Sequence, residues 1–132
     1  MMSDYEIKIV PIGSLKQHEE VIACHLARLM EQIKNDGFLS DPVIVDRNTM
    51  VILDGHHRFN SLMAMGLKFC PVCLVDYQDE TIQVASWKED MIVTKDDVIG
   101  AGMTGELLSP KTSRHLIPDR PVGMCFLLRE LG

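Results

Sequence analysis

The segment LDGHHRFNSL, which begins at Leu53, places several polar side chains directly before an apolar helical pattern. The polar groups are Asp54, His56, His57 and Arg58, and Gly55 follows the first of them. If a strand ends at Leu53 and a helix begins near His56, the free N–H groups of the first helical turn point at whatever lies in front of them and attract anions. These residue types in this order favour an anion-binding corner.

Each residue of this corner has a chemical role that suits a phosphate. Gly55 permits a tight turn and a close approach of a ligand to the backbone. Arg58 can hold a phosphate or a carboxylate through two parallel hydrogen bonds, and His56 and His57 add imidazole donors. Asp54 can accept a hydrogen bond or hold Mg²⁺. The structural alternative is that Asp54 caps the helix, Arg58 pairs with a surface acid and one histidine satisfies a buried carbonyl.

A strand before the corner and a helix after it must position these side chains, and the surrounding pattern predicts both. PVIVD (42–46) and MVILD (50–54) are short β-branched runs that predict a hairpin. The helix is predicted over residues 55–65 and is closed by Gly66. The corner is therefore expected at the junction of a buried strand and an amphipathic helix.

A longer helix is predicted over residues 21–36, with Gly37 as its C-terminal stop. Glu19 and Glu20 precede it, and Glu19 is expected to be a solvated acid that complements the helix dipole. Further strands are predicted at 5–10, 71–77 and 81–86, and a capping box at Thr94 predicts a short helix over 95–101. Beyond residue 101 the pattern decays, although the cluster from Lys111 to His115 is too polar to be core.

Length and composition limit the class of protein. The chain has 132 residues, of which 46% are hydrophobic, and this predicts one α+β domain over 1–132 with a small mixed sheet and packed helices. No apolar run is long enough to cross a membrane, and the acidic N-terminus is unlike a signal peptide, so a cytoplasmic protein is expected. The formal charge of −6 makes nucleic acid an unlikely partner.

The four cysteines carry a weak signal. Cys70 and Cys73 have a spacing that zinc sites and redox pairs use, but they lie in a strongly apolar run and no second Cys-x-x-Cys is present. Buried free thiols are therefore expected for the set, which also includes Cys24 and Cys125.

The stretch VILDGHHRFNSLMAMG, preceded by PVIVD, resembles the phosphate-binding signature of the ParB/sulfiredoxin superfamily, and its Asp-Gly-His-His-Arg version resembles the free L-serine kinases. His18-Glu-Glu-Val21 and Ser109-Pro-Lys-Thr-Ser-Arg-His115 resemble the motifs that accompany it in those kinases. The matching stretches span about residues 7–122. Ser113 stands where the family pattern has a second threonine.

The resemblance implies a ParB/sulfiredoxin-like fold and transfer of a phosphoryl group from ADP or ATP to the hydroxyl of free L-serine, with Mg²⁺ as cofactor. Glu20 matches the glutamate that serves as general base in those enzymes. The reaction needs such a base, because a neutral alcohol must lose its proton as the phosphoryl group arrives. Asp54 and His57 complete the implied catalytic set, and Asp54 is the candidate Mg²⁺ ligand. The loop from Gly55 to Arg58 would bind the phosphates.

The resemblance also implies where the amino acid binds. Free serine needs a cation for its carboxylate and acceptors for its ammonium group, and the residues that match the substrate site are Trp87, Lys111, Thr112, Ser113, Arg114 and His115. Without the family match, Trp87 could equally fill the core at a sheet edge. The cluster at 111–115 could be a solvated loop.

Two other functions remain as alternatives, and the chemistry of a third is not available to this chain. A ParB-like DNA-partition protein would share the corner but would carry Gly-Glu-Arg-Arg there and a helix-turn-helix domain. Sulfiredoxin chemistry needs a cysteine in the loop, where this chain has His56. A nucleotide-binding regulator without turnover would keep the phosphate site while Glu20 serves only as an acid near the helix.

Overall fold

The computed structural model describes residues 5–132, which form three α-helices and eight strands. In chain order they are β1 (Glu6–Pro11), α1 (Ala23–Asp36), β2 (Phe38–Ser40), β3 (Val43–Asp46), β4 (Ile52–Asp54), α2 (His56–Ala64), β5 (Phe69–Val75), β6 (Gln83–Ser86), α3 (Lys95–Thr104), β7 (Ser113–Leu116) and β8 (Cys125–Leu127). Two short 3₁₀ turns cover Ile12–Ser14 and Leu128–Glu130. The predicted α+β class is confirmed.

The main sheet has four strands in the order β1-β5-β3-β4. Strand β5 pairs antiparallel with β1 and parallel with β3, so the sheet is mixed, as predicted. The predicted hairpin is present, because β3 and β4 are antiparallel neighbours with a register shift between Ile44 and Val45. The hairpin ends at Asp54, which delivers the chain directly into α2.

Both faces of the inner strands β3 and β5 are buried, which explains the continuous apolar runs of these two strands. Val43 and Val45 pack on one face with Phe59 of α2. Ile44, which points to the opposite face, packs with Val98 of α3. The sheet therefore lies between α1 and α2 on one side and α3 on the other.

Helix α1 begins at Ala23, two residues after its predicted start, and neither glutamate lies in its first turn. The expectation that Glu19 is a solvated acid at the helix end is wrong, because Glu19 forms a parallel bridge with Leu108 and is partly buried. Helix α3 begins with the predicted capping box at Thr94 and extends three residues beyond its predicted end.

Strands β2, β7 and β8 are short and were not predicted. Each of the last two pairs with a remote partner, β7 with β6 and β8 with β2. The cluster at 111–115 is only partly solvated, since Thr112 and Ser113 are buried. Their polar groups are accommodated by hydrogen bonds rather than by water, which hydropathy alone does not reveal.

The cysteines are free, and two of the four are buried as predicted. Burial raises the pKa of Cys70 to about 12 and that of Cys73 to about 11, so both are unreactive thiols within β5. The expectation is wrong for Cys24 and Cys125, which are exposed. Within residues 5–132, no helix is long and apolar enough to span a bilayer.

Candidate active site

One cavity of about 560 Å³ collects most of the predicted site residues. It is lined by Glu19, Leu29, Leu53, Asp54, Gly55, His56, His57, Arg58, Trp87, Lys111, Ser113, Arg114, His115 and Arg120. Of the predicted residues, Glu20 and Thr112 do not line it. Four cationic side chains face two carboxylates in a chain whose formal charge is −6, so the cavity suits an anionic ligand.

The junction between β4 and α2 has the geometry of an anion site. Gly55 adopts a φ of 105°, and a Cβ there would lie 2.9 Å from Nη2 of Arg58 and 3.3 Å from Cγ2 of Val43. Only glycine fits this turn without strain. No side chain caps α2, so the structural alternative of an Asp54 cap is excluded. The helix N-terminus opens on the cavity through Gly55, His56 and His57.

The guanidinium of Arg58 ties this corner to the connection between β2 and β3. Its Nη1 donates to the backbone carbonyls of Ser40 at 3.3 Å, Asp41 at 3.0 Å and Pro42 at 3.1 Å. Burial lowers the pKa of Arg58. Among residues 5–132 no acid forms an ion pair with Arg58, so the surface ion pair of the structural alternative is not found there. The nitrogens other than Nη1 are the ones that could contact a phosphate.

Both histidines of the corner accept hydrogen bonds from the segment that precedes α1. Nε2 of His56 accepts from the amide of His18 at 3.2 Å, and Nε2 of His57 accepts from the amide of Ile22 at 3.0 Å. Burial lowers the pKa of His56 to about 3, and the pKa of His57 is also lowered, first by burial and then by His25. A neutral imidazole whose Nε2 accepts carries its proton on Nδ1. Both rings can therefore donate through Nδ1.

Of the two neighbouring glutamates, Glu19 is the one that lines the cavity. Its Oε1 accepts hydrogen bonds from the amide of Thr112 at 2.6 Å and from the amide of Ser113 at 2.9 Å. Burial raises its pKa, and these hydrogen bonds oppose the rise. The side chain of Glu20 is exposed, while its amide donates to the carbonyl of Leu108 at 2.8 Å. Since neighbouring side chains of an extended segment point in opposite directions, only one of the two glutamates can face the cavity.

Sequence reasoning missed Arg120, which completes the cavity beside Asp54. Its Nη2 donates to Oδ2 of Asp54 at 2.5 Å. Burial would raise the pKa of Asp54, but the hydrogen bond and charge of Arg120 outweigh it, and the pKa is lowered. Arg120 stands in the turn Pro-Asp-Arg-Pro, and its polar sequence neighbourhood gave no sign of a remote acidic partner.

The pairing of β6 with β7 brings the tryptophan to the basic cluster. Ala85 is opposite Arg114 in this ladder, and the guanidinium carbon of Arg114 lies 4.7 Å from the ring centroid of Trp87. Trp87 is 58% exposed, so core filling does not explain it. Lys111 joins them in the cavity lining. Together they present two cations and an aromatic face.

The remaining members of the cluster are held by the protein. The hydroxyl of Thr112 donates to the carbonyl of Ser109 at 2.7 Å and turns away from the cavity, so its predicted side-chain contact with substrate is not supported. Nε2 of His115 lies 2.8 Å from the hydroxyl of Tyr77. Burial lowers the pKa of His115 to about 4, so this imidazole is neutral.

Residues 5–132 alone do not form a resident metal site. Within residues 5–132, no three His, Cys, Asp or Glu side chains are grouped so that they could hold a metal ion. Mg²⁺ at nucleotide sites is usually held by one or two carboxylates together with substrate phosphates. Asp54 is the carboxylate of the corner that fits such a shared arrangement, with its Oδ1 outside the ion pair with Arg120.

The fold is that of the free serine kinases. The structure of a free serine kinase in complex with AMP superposes with a TM-score of 0.85 at 19% identity, covering all of this chain and 95% of the other. A conserved hypothetical protein from Pyrococcus furiosus gives a TM-score of 0.86 at 18% identity, covering 96% and 97% of the two chains. The predicted fold is confirmed.

Curated relatives are named either ParB-like protein or L-serine kinase. The resemblance that the sequence motifs predicted is therefore confirmed. A ParB-like protein of Sulfolobus acidocaldarius is 38% identical over 86 residues, which are 65% of this chain and 43% of the relative. An ATP-dependent L-serine kinase of Staphylothermus marinus is 31% identical over 83 residues, 60% of this chain and 33% of the relative. The chain thus spans less than half the length of these relatives. No family model matches it.

Proposed function

We propose that the protein transfers a phosphoryl group from ADP or ATP to the hydroxyl of free L-serine, giving O-phospho-L-serine. One observation carries the proposal: a single cavity is lined by the partly buried carboxylate of Glu19, by the N-terminus of α2, and by a cationic and aromatic group of side chains, namely Trp87, Lys111 and Arg114. Phosphoryl transfer depends on positioning and on electrostatic stabilisation, and this arrangement can supply both. The relatives named L-serine kinase, which include ATP-dependent and ADP-dependent examples, support the same reaction.

Glu19 rather than Glu20 is the general base in this proposal. Oε1 of Glu19 is occupied by two backbone donors, so Oε2 is the oxygen that receives the proton of the serine hydroxyl. Its raised pKa makes it a stronger base than an ordinary glutamate. The exposed side chain of Glu20 offers no comparable contact.

The phosphates bind at the corner. The first-turn amides of α2, Nδ1 of His56 and of His57, and the free nitrogens of Arg58 are the donors that would surround them. Magnesium would enter on the nucleotide and share Asp54, where it would neutralise phosphate charge. Arg120 holds that carboxylate in place.

The amino acid binds beside Trp87, Lys111 and Arg114 in the same cavity. Arg114, stacked on Trp87, is the cation for the serine carboxylate, and Lys111 can reach either that carboxylate or a phosphate. The nucleotide phosphates and the serine carboxylate are thus bound by two different parts of the chain.

The test is to incubate the purified protein with magnesium, L-serine and either ADP or ATP, and to detect O-phosphoserine by mass spectrometry. Product with at least one nucleotide is expected, and omission of L-serine is the control. Absence of product with both nucleotides would overturn the proposal. Nucleotide binding by calorimetry without product would instead favour a non-catalytic nucleotide-binding regulator.

A further inference from the structure

His18 is a buried residue whose four polar groups are all hydrogen-bonded. Its side chain has 0% exposure. Its amide donates to His56, its carbonyl accepts from the amide of Leu108 at 2.8 Å, and Nδ1 lies 2.6 Å from the carbonyl of Ile52. Nε2 lies 2.8 Å from the hydroxyl of Ser113. His18 therefore joins β4, α2, β7 and the segment at Leu108 immediately beside Glu19.

The protons of this network have only one consistent arrangement. A carbonyl can only accept, so Nδ1 of His18 carries the proton that Ile52 receives. Burial lowers the pKa of His18 to about 4, so the ring is neutral and its Nε2 accepts. The single hydroxyl proton of Ser113 must then go to Nε2 at 2.8 Å and not to Oε1 of Glu19, which lies 3.4 Å from the same hydroxyl.

We infer that His18 is a positioning residue for the general base: it holds the Ser113 proton away from Glu19, so that the carboxylate keeps only its two backbone donors. This inference rests on the proposed function for its catalytic meaning. Each further hydrogen bond to a carboxylate stabilises the charged form and weakens the base. Ser113, which the family resemblance assigned to substrate binding, is committed to His18.

Other charges also face Glu19, and they stay constant in the test. The cavity places Asp54, Arg58, Lys111, Arg114 and Arg120 around it, together with the imidazoles of α2 and β7. Asp54 raises the pKa of Glu19 through like-charge repulsion. Substitutions at His18 and Ser113 leave all of these side chains unchanged, so a shift of Glu19 reports the proton of Ser113.

The decisive variant is His18→Asn. The asparagine amide can still donate to Ile52 but cannot reach Ser113, whose hydroxyl is then free to donate to Glu19. The pKa of Glu19 should fall by about one unit, and the acid limb of kcat should move to lower pH by the same amount. Because the base is weaker, kcat above that limb should fall by about threefold while KM for L-serine changes less.

Two more variants separate this effect from a structural one. The double variant His18→Asn with Ser113→Ala should restore the pKa of Glu19, since no hydroxyl remains to donate. Combining His18→Asn with Ser113→Thr, which keeps a hydroxyl, should not restore it. A general loosening of the site would affect both double variants alike. Carbon-13 NMR of the Glu19 carboxylate, assigned with Glu19→Gln, measures the pKa in each protein.

Ser113→Ala alone keeps the inference falsifiable if His18→Asn does not fold. It should leave the pKa of Glu19 near that of the parent, because the lost proton was not on Glu19. A clear rise would overturn the inference, and so would nitrogen-15 NMR of the parent showing His18 protonated on Nε2. These NMR results do not need turnover, so they decide the inference even if no O-phosphoserine forms and the proposed function fails.

Discussion

The corner at residues 54–58 and the segment at residues 109–120 line the same cavity but are built in different ways. The corner is one short stretch of chain at a strand–helix junction, and its glycine turn and helix N-terminus arise locally. The later segment owes its place to remote partners: Ser113 binds Glu19 across 94 positions, and Arg120 binds Asp54 across 66. The corner is thus set by local backbone geometry, and the segment by contacts with residues far away in the sequence.

This difference predicts how each region responds to substitution. A change in the corner should disturb the backbone and therefore phosphate binding. A change in the segment should affect only the remote residue whose contact with the segment is lost. Glu19 belongs to the second kind, because backbone donors from the segment fix its carboxylate.

Glu19→Gln should have the largest effect. Loss of the general base is expected to lower kcat by about two orders of magnitude or more, in the range typical of general acid–base catalysis. Nucleotide affinity should change little, because Glu19 is not part of the corner. Product formation by mass spectrometry and nucleotide binding by calorimetry measure the two quantities.

Glu20→Gln is the matched control. It makes the same chemical change one position away, on an exposed side chain. We expect less than about a threefold effect on kcat, as for a charge without a catalytic contact. If this variant loses as much activity as Glu19→Gln, the assignment of the base from the cavity geometry is wrong.

The same contrast explains what could be predicted from the sequence. The corner and the hairpin before it were predictable, because glycine, β-branched runs and helix periodicity act over a few residues. The position of Glu19 was not, since it depends on the bridge to Leu108 and on where α1 begins. Arg120 and β7 were missed for the same reason: nothing in their local pattern marks a partner far away in the chain.

Gly55→Ala should have the next largest effect. Its φ of 105° is unfavourable for alanine, and the added Cβ would approach Nη2 of Arg58 to 2.9 Å. We expect a loss of about 1–3 kcal/mol in the free energy of unfolding. We also expect about a tenfold loss in nucleotide affinity, because a shift of about 1 Å in the phosphate-binding groups weakens their contacts. Urea unfolding and calorimetry measure them.

Gly37→Ala separates the two contributions. Gly37 also has a positive φ of 77°, but a Cβ at this position would have no neighbouring atom within 4 Å. This variant should lose stability through backbone strain alone and bind nucleotide as the parent does. Equal losses of affinity in both glycine variants would contradict the role of the corner in binding phosphate.

Arg120→Gln should have a smaller effect that depends on pH. The pKa of Asp54 is lowered in the folded protein, so the ion pair contributes stability above the ordinary carboxylate pKa and loses it as pH falls through the lowered value. Both side chains are about a third or more exposed, which limits the contribution to about 1 kcal/mol. Unfolding free energies of parent and variant should differ at neutral pH and converge in acid; a constant difference would contradict the ion-pair explanation.

Trp87→Ala should have the smallest effect, confined to the amino-acid side. The exposed ring supports Arg114 through a cation–π contact, which contributes about 0.5–1 kcal/mol at such sites. KM for L-serine should therefore rise by about threefold, while nucleotide affinity stays the same because the corner is untouched. Trp87→Phe keeps an aromatic face and should recover part of the loss. If nucleotide affinity falls instead, Trp87 and Arg114 take part in binding the nucleotide. The division of the cavity into a phosphate-binding corner and an amino-acid-binding part is then wrong.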